Sequence, residues 1–89
     1  MNLTIHAQTR IQQRAISPMY IDWLEQFGSI EPQDGAELIY FSHRSLKKLA
    51  RYTGGVSQKV DKLKKLYLIR GKNGQVVTVG YRTESIKRR

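Results

Sequence analysis

Three polar residues near the start of the chain, His6, Arg10 and Arg14, stand four positions apart in the stretch HAQTRIQQR. On an α-helix that spacing lines them along one ridge, because every fourth residue returns to within about 40° of the same bearing. An imidazole beside two guanidinium groups suits a phosphodiester: the imidazole can move a proton near neutral pH, and each guanidinium can grip phosphate oxygens through two donors. Tyr81 and Arg82 add a phenol and a third guanidinium near the other end, and His43, beside Arg44, is a second candidate base ranked below His6. The alternative for the ridge is structural, with His6 capping a helix and Arg10 and Arg14 pairing with Asp22 or Glu25 of a following helix.

Charge narrows the classes of partner. The chain has 89 residues, 16 Lys and Arg against 7 Asp and Glu, and a formal net charge of +9. Residues 1 to 42 hold two basic and five acidic residues, a net of −3, whereas residues 43 to 89 hold fourteen and two, a net of +12. A half so basic attracts a polyanion, with nucleic acid the commonest; an acidic protein would satisfy the same field. With no cysteine there is no disulfide framework, thiolate zinc site or cysteine nucleophile, which fits a cytoplasmic setting. The two histidines have no zinc-ligand spacing, Asp34 and Glu37 read as loop polarity, and GKNG lacks the Lys-Ser/Thr continuation of a phosphate-binding loop. No apolar run approaches the roughly 20 residues that span a bilayer. A chain this short buries only about 60 to 65% of its unfolded surface, so neither a large cofactor cavity nor high stability is expected. No cofactor or metal is therefore expected.

The elements that must position these groups are legible in outline. Thr4 can cap a helix running to about Ala15, and Ser17-Pro18 opens a second, in which Tyr20, Trp23, Leu24 and Phe27 recur at helical spacing as core and Gly28 supplies a left-handed stop. Residues 28 to 36, with Pro32 and Asp34-Gly35, read as a loop before a short strand at 37 to 41. Ser42 caps a helix from His43 to about Tyr52, with Leu46, Leu49 and Ala50 inward and Arg44, Lys47, Lys48 and Arg51 outward. After Thr53-Gly54-Gly55 a further helix over 56 to 65 is expected to bury Val60 and Leu63 and expose Lys59, Lys62 and Lys65. LYLIR, GKNG and QVVTVGYR then form a β-hairpin turning on Asn73-Gly74. The reading is a single α+β domain over 1–86: two N-terminal helices, a short strand, two further helices and a C-terminal β-hairpin in a small antiparallel sheet. A frayed basic tail follows at 87–89.

Two resemblances attach to these motifs. HAQTRIQQR at 6 to 14 and VTVGYR at 77 to 82 resemble the start and end of a family of small bacterial proteins of unknown function, His-Ala-x-x-Arg-x-x-x-Arg and Val-Thr-x-Gly-x-Arg. That family is similar to the RelE and ParE toxins, small basic proteins with helices packed on an antiparallel sheet, whose ribonuclease members cleave messenger RNA without metal. The resemblance implies His6, Arg10, Arg14 and Arg82 as the matched polar positions, with Tyr81 beside the last, and an acidic antitoxin-like protein as partner. The two helices expected after the strand at 37 to 41 depart from the RelE pattern. Residues 45 to 82 also resemble a winged helix-turn-helix of bacterial DNA-binding proteins, in which Ser57, Gln58, Lys59 and Lys62 would enter the major groove and Lys72 or Asn73 would touch the duplex from the wing.

The expectation is a nucleic-acid-binding protein, with RNA ahead of DNA. It is a RelE-like metal-independent ribonuclease, or an inactive relative, with His6, Arg10, Arg14, Tyr81 and Arg82 around the scissile phosphate. Arg44, Lys47, Lys48, Arg51, Lys59, Lys62 and Lys72 would hold the rest of the strand. The alternatives are a winged-helix DNA-binding protein and a module that binds an acidic protein.

Overall fold

A computed structural model describes residues 2–82, so the tail expected at 87–89 lies outside the described residues. The chain is α+β, as expected: α1 (Ile5–Gln13), α2 (Pro18–Phe27), β1 (Ser29–Gln33), β2 (Ala36–Tyr40), α3 (His43–Tyr52), two 3-10 turns (Val56–Lys59 and Asp61–Lys65), β3 (Leu66–Arg70) and β4 (Val76–Tyr81). The strands form one antiparallel sheet in the order β1-β2-β3-β4.

Local chemistry sets the helix ends. Thr4 and Ser42 each accept a hydrogen bond from the backbone N–H three residues on, and Ser17 accepts one from Met19. At the end of α1, Ala15 N–H donates to Gln12 O and Ile16 N–H to Ile11 O; α3 ends likewise, with Gly54 N–H on Arg51 O and Gly55 N–H on Ala50 O. Both are Schellman caps, which need one left-handed residue. In α3 that residue is Gly54 at φ 63, but in α1 it is Ala15 at φ 50.

Three sequence readings need correction. Gly28 is not a left-handed stop, for its φ of −62 and ψ of 154 are extended and lead directly into β1. Glycine is needed there for close approach, since a Cβ would press on Leu24 O and lie 2.7 Å from Ile39 Cγ2. Residues 28 to 36 are not a loop but carry β1 and a tight hairpin turn, with Asp34 at φ 38 and Gly35 at φ 81. Pro32 is tolerated because β1 is an edge strand. Residues 56 to 65 do not form an α-helix. Val60, at φ −109 and ψ 90, separates two 3-10 turns, and the Thr53 hydroxyl meets both the N–H and the hydroxyl of Ser57. Ser57, Val60, Leu63 and Leu66 then fall inward at intervals of three, the period of a 3-10 helix.

The β3–β4 hairpin is present, although in its loop only Gly74 takes positive φ. The segment before α1 joins it through a parallel bridge between Leu3 and Val76. One core holds the molecule together. Ala7 and Ile16, Ile21 and Leu24 of α2, Leu49 of α3 and Leu63 of the second 3-10 turn pack against Ile39, Leu66, Leu68, Val76 and Val79. Each large aliphatic side chain so buried contributes about 1.5 to 3 kcal/mol. Of the residues expected to be core in α2, Leu24 is fully buried, Tyr20, Trp23 and Phe27 are half-buried, and Ile21 takes the central place. All of these helices therefore lie on one face of the sheet.

Candidate functional site

α3 carries the basic residues in the most regular array. Leu49 is fully buried and Leu46 and Ala50 half-buried, which leaves Arg44, Lys47, Lys48 and Arg51 exposed along the opposite side. Their spacing spans about 10 Å of helix. The helix is held by its Ser42 cap, which also meets Ser29 Oγ at 2.6 Å and Ser45 Oγ at 3.1 Å, and by the Phe27 and Tyr52 rings, 4.9 Å apart. Ser29, Ser42, His43 and the four cations together line a basin of about 760 Å³. Among the described residues the one ion pair is Arg70 to Glu37, at 2.9 Å, so none of their carboxylates pairs with this ridge.

A second concavity of about 390 Å³ lies between α3 and the 3-10 turns, lined by His43, Lys47, Gln58, Val60 and Lys64 among others. Across those turns is a cleft of about 530 Å³ whose walls include Ala15, Tyr20, Tyr81, Lys59, Asp61 and Lys62. Val60 lines both recesses. Tyr20 stacks on Trp23 with centroids 5.6 Å apart. Burial, reinforced by the Tyr20 phenol, holds the Tyr81 hydroxyl above the ordinary tyrosine range. At neutral pH Tyr81 is therefore a hydrogen-bond donor and an aromatic surface, not a base.

The five residues expected around a scissile phosphate do not all come together, for His6 and Arg82 are held apart. His6 on α1 and Arg14 just past its end are exposed and Arg10 is half-buried, while Ala7 and Ile11 turn toward the core as the spacing suggests. The start of α1 is pinned to the start of β4, by Thr4 N–H donating to Val76 O at 3.0 Å and Thr4 Oγ1 to Val77 O at 3.3 Å. Arg82 follows the far end of β4, where its N–H donates to Lys65 O. From Val77 to Arg82 is about 17 Å of strand. The faces differ as well. Leu66 and Leu68 point to the helices, so Tyr67 between them points away, and the Arg82 guanidinium sits over the Tyr67 ring. The sheet itself therefore lies between His6 and the Arg82 side chain. The structural alternative for Arg10 and Arg14 is not realised either, because neither pairs with Asp22 or Glu25.

The seven expected nucleic-acid contacts divide into three groups. Arg44, Lys47, Lys48 and Arg51 form the ridge, Lys59 and Lys62 join Tyr81 at the cleft, and Lys72 lies against the β1–β2 turn, where a Cβ on Gly35 would come within 2.7 Å of its Cε. That turn is at the end of β2 remote from α3, so Lys72 is apart from the ridge. Sequence reasoning passed over Ser29, Lys64 and the exposed edge of Tyr20. The threefold spacing of Ser57, Val60, Leu63 and Leu66 was the available signal for where Lys59, Lys62 and Lys64 would face. Comparison with family models, curated proteins and solved structures gives no match.

Proposed function

We propose that this protein binds nucleic acid, RNA before DNA, through the ridge of Arg44, Lys47, Lys48 and Arg51. The observation that carries the reading is four exposed cations on one capped helix, over a basin lined by hydroxyls and by no carboxylate. Such an array attracts phosphates without regard to sequence.

A RelE-like catalytic centre built on His6 and Arg82 would need both on one face of the sheet, so the function proposed is binding rather than cleavage. A winged-helix mode would need a recognition helix where two 3-10 turns stand. An acidic protein would recognise the same ridge and is an outcome of the test. Titration of a labelled RNA with wild type and with Arg44→Gln/Lys48→Gln protein decides. Weakened binding by the variant supports the ridge, whereas equal affinities refute it and leave an acidic protein as its occupant.

A further inference from the structure

The cleft between the α1–α2 turn, the 3-10 turns and the end of β4 combines features that the ridge lacks. Its volume of about 530 Å³ falls within the roughly 300–1,000 Å³ of small-ligand sites. Two phenols, Tyr20 and Tyr81, supply aromatic surface, and Tyr20 is braced from behind by Trp23. Lys59 and Lys62, three positions apart and each on a 3-10 turn, stand at the rim with one carboxylate, Asp61, between them in sequence. Ala15, also in the wall, keeps a left-handed backbone that an L-residue rarely adopts, and such strain collects at binding sites.

Aromatic surface beside cations is the means by which proteins hold unpaired bases, with the ring stacking on the base and the lysines meeting the flanking phosphates. A base in a duplex reaches such a recess only after leaving its stack. The concavity beside α3 shares Val60 with the cleft and Lys47 with the ridge, so it lies next to both. We infer that the Tyr20–Tyr81 cleft takes an unpaired base of a single strand, with Lys59 and Lys62 on its phosphates, an inference that rests on the nucleic-acid reading above.

Trp23 is the sole tryptophan and reports on this site through its stack with Tyr20. The experiment titrates the full chain with a short single-stranded RNA of mixed sequence and, separately, with the blunt RNA duplex of that sequence, reading Trp23 emission and affinity. The single strand is expected to change Trp23 emission and the duplex to leave it unaltered. Tyr20→Leu is expected to lower the ratio of single-strand to duplex affinity about tenfold, the loss of one stacked base. Lys59→Gln/Lys62→Gln, at exposed positions that do not support the core, lowers the same ratio and keeps the test valid if the tyrosine variant unfolds. A ratio unchanged in both variants, with equal emission for both RNAs, overturns the cleft and leaves the ridge standing. Failure of both RNAs to bind at low salt overturns the nucleic-acid reading, and the cleft inference falls with it.

Discussion

The Arg82 guanidinium carbon lies 5.0 Å from the centroid of the Tyr67 ring, on the face of the sheet away from the helices. Tyr67 in turn covers Gly80, whose added Cβ would be 3.2 Å from the phenol oxygen and 3.3 Å from Cε1. Gly80, Tyr67 and Arg82 thus make a three-layer stack across the paired ends of β3 and β4. An aromatic ring over a strand glycine replaces the packing that glycine cannot provide, and the cation above it adds about 0.5 to 2 kcal/mol. Arg82→Ala is therefore expected to destabilise the fold by about 1 kcal/mol, with Arg82→Lys intermediate, measured by denaturant unfolding. An unfolding midpoint unchanged by Arg82→Ala would mean that the stack contributes nothing.

Placement of His6 and Arg82 on opposite sides of the sheet makes a second expectation. Their effects on RNA binding should be independent, so a double-mutant cycle of His6→Ala and Arg82→Ala closes within about 0.5 kcal/mol. A coupling above about 1 kcal/mol would put both groups on one phosphate and restore the catalytic arrangement suggested by the sequence motifs.

The two Schellman caps invite a direct comparison. Gly54 takes its left-handed conformation without steric cost, whereas Ala15 does not. The left-handed region costs an L-residue roughly 1 to 2 kcal/mol, part of which glycine returns through its freer unfolded chain. Ala15→Gly should therefore stabilise the protein by about 0.5 to 1 kcal/mol, a rise of a few degrees in Tm by calorimetry. A lower Tm would show that the Ala15 methyl group makes packing contacts worth more than the strain.

Tyr81 gives a pH dependence with a definite sign. Burial and the Tyr20 phenol raise its pKa above the ordinary value of 10.0, so the folded chain holds that proton more tightly than the unfolded chain. Stability from this group is complete below about pH 10 and is lost as the pH rises from there through the folded value. Tyr81→Phe should unfold less readily on going from about pH 8 to about pH 11 than wild type does, compared through denaturant midpoints. Equal alkaline losses in the two proteins would place Tyr81 in water.

The sequence disclosed what depends on neighbours in the chain. Thr4, Ser17 and Ser42 announce their caps, Asp34-Gly35 its turn and LYLIR with QVVTVGYR its hairpin, because each is decided within a few residues. β1 was hidden because Ser29, Glu31, Pro32 and Gln33 have little strand propensity, and pairing with β2 forms it. The 3-10 turns were hidden because Val60 and Leu63 fit a helix as well as a period of three. The ridge on α3 was legible because one helix presents it. The site expected around His6 and Arg82 was not, because which face of a sheet a residue occupies depends on strand parity counted across β3 and β4. Tyr81 could be paired with Lys59 and Lys62 only once the path of the chain through the 3-10 turns was known.

The salt dependence of single-stranded RNA affinity tests the ridge most directly. Each phosphate met by a cation contributes about −0.7 to the slope of log K against log salt concentration, so four ridge cations give about −3. Arg44→Gln/Lys48→Gln should bring that slope closer to zero by about 1.4, in protein whose circular dichroism is that of wild type. A slope that does not change when these two charges are removed would show that the phosphates lie elsewhere, and would contradict the ridge as the binding surface.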